Sequence, residues 1–177
     1  MMKDIIKPIA VLSVICLVVT AVLAFVHMET APIIQAAEEK AAAEARTEVL
    51  PRAKDFQKRE DLSLPEGVTE VYQATDNTGY VIMSQAKGYG GSIRIICGIR
   101  PDGTIEAVKT LSHAETGGIG SRVADNGSLY REGYKGKTIE TYQEVDAVTG
   151  ATISSTAYKK AVGLALEAYT RIKGAEA

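Results

Sequence analysis

Residues 68–111 read VTEVYQATDNTGYVIMSQAKGYGGSIRIICGIRPDGTIEAVKTL, and their period of two decides the fold class. Val71–Ala74 and Tyr80–Ala86 read as strands joined by the turn Asp76-Asn77-Thr78-Gly79. Ser92–Arg100 is a third strand, set off from the second by Gly88-Tyr89-Gly90-Gly91. The turn Pro101-Asp102-Gly103 then leads into a fourth strand, Thr104–Leu111. Short turns between successive strands favour antiparallel neighbours. The expectation is an α+β fold: a twisted, mostly antiparallel sheet of four or more strands flanked by helices.

Toward the C-terminus, Thr116–Lys137 is glycine-rich and weakly periodic, a loop with short helical turns. Ile153–Ile172 follows as an amphipathic helix. Ala157, Ala161, Leu164, Ala165, Ala168 and Ile172 recur at three and four residues and form one apolar stripe. Lys159, Lys160, Glu167 and Arg171 largely avoid it, so one face of this helix packs on the sheet.

Toward the N-terminus, Ile9–Val26 carries no charge and two hydroxyl residues, Ser13 and Thr20. Such a helix rises roughly 27 Å, close to the ~30 Å hydrocarbon core of a bilayer. Pro8 sits near its start, where a missing N–H costs little. The alternative is a cleaved signal peptide. The apolar region is long for one, and Phe25, Val26, His27 and Met28 offer no small-x-small cleavage site. Lys3 and Lys7 precede the run, whereas Glu29, Glu38 and Glu39 are the first charges after it. That asymmetry expects a cytoplasmic N-terminus and an extracytoplasmic remainder. Thr30–Val49, rich in Ala and Glu, continues as a helical stalk, and a polar connector runs to Pro65. The expected organisation is a cytoplasmic N-terminus and anchor over 1–28, stalk and connector over 29–65, and a domain over 66–177.

The chain has 177 residues, 46% hydrophobic and 24% charged, which suits one ordinary domain with a core. A net charge of −2 and the lack of a basic patch interleaved with aromatics point away from nucleic acid. Trp is absent and only two Phe are present, so any stacking falls to the eight Tyr or to aliphatic side chains. Cys16 lies in the apolar run and Cys97 in a strand, each a small buried hydrophobe. Neither His27 nor His113 stands in a metal-ligand spacing with cysteine, so no metal is expected. Nucleophile–base orders and carboxylate pairs in a plausible setting are missing too, and no catalytic residue is assigned.

The chemistry concentrates in Asp146-Ala147-Val148-Thr149-Gly150-Ala151-Thr152, followed by Ile153-Ser154-Ser155. Gly150 and Ala151 keep the backbone open just before a helix, where Thr149 and Thr152 present hydroxyls. Free N–H groups and the helix dipole favour a phosphate at such an end. Equally, Thr152, Ser154 and Ser155 would serve as helix caps. A second stretch, His113-Ala114-Glu115-Thr116-Gly117-Gly118-Ile119-Gly120, is a glycine-rich loop able to approach a flat ring, with Glu115 and Thr116 as hydrogen-bonding groups.

Asp-x-x-Thr-Gly-Ala-Thr resembles the flavinylation motif of the FMN-binding domain in the G subunit of Rnf electron-transport complexes. The C subunit of sodium-pumping NADH:quinone oxidoreductase carries the same kind of domain. The second stretch is similar to that family's His-x-Glu-Thr-Pro-Gly-x-Gly segment, with Gly117 where the family usually has Pro. The resemblance implies FMN joined through its phosphate to Thr152 by a separate flavin transferase that consumes FAD. It makes Asp146 a residue the transferase reads. It further implies cofactor contacts at Thr149, Gly150, Ala151, Glu115, Thr116, Gly118 and Tyr89. Tyr89 packs on the flavin or merely fills its turn. His113 and Arg122 remain open between roles near the flavin and ordinary loop positions, while Lys87, Arg94 and Lys109 read as solvent-facing. The implied protein is an electron carrier rather than a stand-alone enzyme: a single-pass subunit of an ion-translocating ferredoxin:NAD oxidoreductase, docked against the other membrane subunits. Two alternatives stand beside it. One is the quinone-oxidoreductase C subunit, generally longer than this chain. The other is a non-redox anchored binding module whose Thr motif only caps a helix.

Overall fold

The computed structural model describes residues 2–60 and 64–176, and it divides into one unit up to Ala41 and a larger one from Ala42 onward. The connector expected up to Pro65 therefore lies in part, at 61–63, outside the described residues.

The first unit is helix α1, Met2–Val49, up to Ala41. Its best 18-residue window has a mean hydropathy of 3.0, none of it is buried, and it is the one helix among the described residues long and apolar enough to cross a membrane. Pro8 lies inside this helix rather than in its first turn, and the helix also runs unbroken through Pro32. Pro32 leaves one carbonyl of the preceding turn without its donor. Nearby, the Thr30 hydroxyl donates to the Val26 carbonyl at 2.8 Å.

In the larger unit, five strands form an antiparallel meander in the order β1-β2-β3-β4-β5. They are β1 Phe56–Lys58, β2 Val68–Ala74, β3 Tyr80–Lys87, β4 Ser92–Ile99 and β5 Ile105–Ser112. The four strands read from the alternation are all present. The short β1 is extra and falls in the stretch expected as connector. Both turns use the residues their geometry demands, since Asn77, Gly79 and Gly103 all have positive φ.

Both faces of the sheet are covered. On one, Ile82, Ile93, Ile95, Cys97 and Ile99 pack against α3, Thr152–Glu176, through Tyr158, Ala161, Val162, Ala165 and Leu166. Full burial pushes the Cys97 thiol up to about 12, so this cysteine is inert packing. Tyr130, Tyr134 and Tyr158 join the same core with ring centroids 5.6 to 5.8 Å apart. On the other face, Val81, Met83 and Ile96 meet Ala45, Val49 and Leu50 at the end of α1. Gly98 on β4 makes that contact close, because a Cβ there would stand 2.2 Å from the Val49 carbonyl oxygen. Glu48 pairs with Lys109, and the Arg46 guanidinium lies 4.3 Å over the Tyr72 ring. Lys109, expected to face solvent, is instead a tie to this helix end.

Beyond β5 the chain runs through the four-residue helix α2, Ser121–Ala124, and two 3-10 turns, Leu129–Tyr134 and Tyr142–Glu144. β5 is an edge strand, yet the Asn126 side chain pairs with both main-chain groups of Thr110 at 2.9 Å. Gly136 and Lys137 pair likewise with Ile105.

Candidate functional site

Three chain segments meet at one end of the sheet: the 88–91 turn between β3 and β4, the loop after β5, and the start of α3. They enclose a cavity of about 550 Å³ lined by Tyr89, Thr116, Ile119, Gly120, Gly150, Ala151, Thr152, Ile153 and Ser154. That volume is in the range of ordinary small-molecule sites. The walls are mainly apolar. Among the described residues after α1, five large apolar or aromatic side chains are exposed, and three of them, Tyr89, Ile119 and Ile153, line this cavity.

Thr152 is the first residue of α3, so the helix begins at the cavity wall. The main-chain N–H groups of Thr152, Ile153 and Ser154 precede the first intrahelical acceptor and carry the positive end of the dipole. Just before it, Gly150 has φ +83°, and a Cβ there would meet nothing within 4 Å. Its glycine is needed for backbone conformation, not for space. None of the three hydroxyls proposed as caps acts as one. Ser154 donates to Glu115 Oε2, Ser155 Oγ accepts from the Val148 N–H at 3.0 Å, and the exposed Thr152 hydroxyl has no hydrogen-bond partner among the described residues.

Glu115 sits behind the cavity wall, 8% exposed. Its Oε1 accepts from the Gly90 N–H at 3.1 Å and its Oε2 from Ser154, so one carboxyl group links all three segments. Glycines clear the room it occupies. A Cβ on Gly88 would fall 2.3 Å from Oε1, and one on Gly120 2.6 Å from Oε2. Gly90 approaches the chain itself, 2.0 Å from a would-be Cβ to the Ala114 carbonyl oxygen.

Of the residues singled out in the sequence, Thr152, Gly150, Ala151, Thr116 and Tyr89 line the cavity together. Glu115, Thr149 and Gly118 do not. Gly118 has φ +80° with open space around it, so backbone conformation rather than close approach demands the glycine. His113 is a satisfied loop residue: Nδ1 accepts from the Glu115 N–H at 3.2 Å and Nε2 pairs with Asp125 at 2.9 Å. Arg122 lines a separate open hollow with Asp125 and Ser128. Ile119 and Gly120, inside the glycine-rich stretch but not singled out there, also line it, and Ile153 and Ser154 join them without a sequence signal for it. Ile153, outside the apolar stripe that begins at Ala157, is 57% exposed at the cavity. No cluster of His, Cys, Asp or Glu able to hold a metal occurs among the described residues.

These positions yield a graded expectation. Thr116→Ala, at the cavity wall, should shift the visible spectrum or midpoint potential of a bound flavin. Glu115→Ala should do so indirectly and also lower the melting temperature, because it strands the Gly90 N–H and frees Ser154. Gly118→Val forces a β-branched residue to positive φ, costing about 1–2 kcal/mol or more. Spectra and thermal melts of the three variants check this order.

Residues 88–167 match the family model described as FMN-binding domain, and residues 1–49 match the RnfG N-terminal region. Two relatives are similar over nearly their whole length. The G subunit of the Na(+)-translocating ferredoxin:NAD(+) oxidoreductase complex of Acetobacterium woodii is 29% identical, covering 92% of this chain and 90% of that protein. The G subunit of the ion-translocating oxidoreductase complex of Methanosarcina acetivorans is 30% identical, covering 93% and 94%. Among solved structures, Shewanella oneidensis NqrC aligns with a TM-score of 0.48 at 23% identity, covering 68% of this chain and 75% of that one.

Proposed function

The chain belongs to the RnfG family, the G subunits of ion-translocating oxidoreductase complexes, and from that premise we propose that it is their membrane-anchored carrier of covalent FMN, joined through its phosphate to Thr152. The observation that carries the reading is the Thr152 hydroxyl, exposed and without a hydrogen-bond partner among the described residues, at the start of a 25-residue helix and on the wall of an apolar cavity.

The residues present suit the cofactor. The first N–H groups of α3 and its dipole favour a phosphate, and the Thr152 oxygen supplies a nucleophile beside them. Tyr89, Ile119 and Ile153 offer apolar surface to a ring, with the Thr116 hydroxyl as a polar group among them. FMN, when bound, supplies one- and two-electron chemistry that the protein only holds and tunes. Attachment is a group transfer from FAD catalysed by a flavin transferase. The bond between the two phosphates of FAD breaks, Thr152 Oγ1 bonds to the FMN phosphorus, and AMP leaves with the hydroxyl proton. A carrier facing the outer compartment gains from such a bond, because a lost cofactor there would not be replaced. The other membrane subunits of the complex are its partners in electron transfer. The reading of the Thr motif as a mere cap is disfavoured, since Ser154 and Ser155 bond elsewhere.

Intact-mass measurement tests the proposal. The chain made with an active transferase should gain one FMN less one water, and its band should fluoresce on a denaturing gel. A chain of unchanged mass under those conditions overturns it.

The orientation rests on Lys3 and Lys7 before the apolar run and Glu29, Glu38 and Glu39 after it. An alkaline phosphatase fused after residue 177 should therefore be active, because it lies outside the cytoplasm. Activity of a cytoplasm-restricted reporter at the same position would reverse the topology.

A further inference from the structure

Ser155 is fully buried in the first turn of α3, a costly place for a hydroxyl unless it is used. It turns back out of the helix. Its Oγ accepts from the Val148 N–H at 3.0 Å, while the Val148 carbonyl accepts from the Ala151 N–H at 2.9 Å. Both main-chain groups of Val148 are thus fixed, and the loop 148–152 is closed onto the helix that follows it. Ser155 itself is immobilised. Its N–H donates to the Ala151 carbonyl at 2.9 Å, and its carbonyl accepts from the Tyr130 hydroxyl at 3.3 Å. Inside the closed loop Gly150 holds a positive φ, and Thr149 and Thr152 both stay exposed.

A glycine-containing loop without such a tie samples many conformations, and only some present the Thr152 oxygen usefully. We propose that Ser155 is a positioning residue for flavin attachment, whose hydroxyl holds the 148–152 loop in the one conformation that presents Thr152 to the transferase. The inference rests on Thr152 being the acceptor. If the presenting conformation is only part of the ensemble, the apparent affinity for the transferase falls by that fraction. The effect therefore belongs in KM for the acceptor chain and not in kcat.

The test compares the full chain with its Ser155→Ala variant, using FAD and a flavin transferase, by initial rates of mass gain over a range of acceptor concentrations. Alanine keeps helix propensity, so only the tie to Val148 is lost. KM should rise about fivefold or more, the factor set by one ordinary hydrogen bond, with kcat within about twofold. Hydrogen exchange reads the bond without chemistry. In the wild-type chain the Val148 amide should be more protected than those of Ala147 and Thr149, and Ser155→Ala should abolish that difference. Ser155→Thr, which keeps a hydroxyl, should recover most of the lost affinity. Modified wild type with unchanged Ser155→Ala kinetics overturns this inference and leaves the acceptor assignment standing. An unprotected Val148 amide in the wild type overturns it too, even if the variant cannot be folded. A wild-type chain that gains no mass defeats the acceptor assignment, and this inference with it.

Discussion

Thr152→Ala is expected to remove covalent flavin completely while leaving the domain folded. A phosphoester needs an oxygen at that position, and alanine has none. Folding should hardly notice, because the wild-type hydroxyl makes no hydrogen bond among the described residues and alanine is the best helix former at an exposed site. The stability change should stay within about 0.5 kcal/mol, as for surface substitutions elsewhere. Thr152→Ser keeps the oxygen but loses the methyl that narrows χ1, so slower, partial attachment is expected. Intact mass gives the outcome directly: FMN less one water on wild type, part of the population on the Ser variant, nothing on the Ala variant. An Ala variant that keeps the added mass would move the linkage to another residue, with Thr149, three positions earlier and also exposed, the first to examine.

The largest stability loss is expected from Gly98→Ala. The new Cβ would lie 2.2 Å from the Val49 carbonyl oxygen and 2.7 Å from its carbon, both main-chain atoms that cannot rotate away. Relief requires the end of α1 to lift from β4. Ala45, Val49, Leu50, Val81, Met83 and Ile96, all nearly inaccessible to water, would lose part of their packing. Overpacking of a rigid contact costs about 1–3 kcal/mol, and this contact is at the severe end. For a domain of this size the melting temperature should drop by roughly 10 °C. Gly127→Ala is the control, since a Cβ there meets nothing within 4 Å and φ is not positive. It should be neutral or slightly stabilising. Equal melting temperatures for the two variants would mean that α1 does not close on the sheet as described.

The strands β2 to β5 are legible in the sequence because their signals are local: alternation, then a turn whose Asn or Gly supplies the positive φ. β1 is not. Phe56-Gln57-Lys58 is too short to show a period, and it is held by its partners Tyr72, Gln73 and Ala74, which lie well along the chain. The end of α1 is a similar case. Ala42, Ala45 and Val49 carry the right spacing, but over only two turns and mostly as alanine, which composition assigns to a solvated stalk. At the site, the loop before α3 is legible because the positive φ of Gly150 and the exposed hydroxyl of Thr152 belong to the residues where they stand. The role of Glu115 is hidden. Its two partners are 25 and 39 residues away, and only the folded chain brings Gly90 and Ser154 to one carboxyl group. Ser155 misleads too: as a cap it would accept from N–H groups of the turn ahead, whereas it lies inside the helix and its hydroxyl reaches back to the Val148 N–H.

The sealed margin of the sheet bears on life in a crowd. Proteins tethered to one surface meet their neighbours far more often than the same number dispersed in a volume. Under those conditions a bare strand margin acts as a template on which a second copy zips itself, and sheets grow from molecule to molecule. Here the outward main-chain groups of Ile105 and Thr110 are already occupied, by Gly136 with Lys137 and by the Asn126 amide, and the opposite margin, β1, offers only three residues. At these positions the margins give a second copy few main-chain groups to pair with.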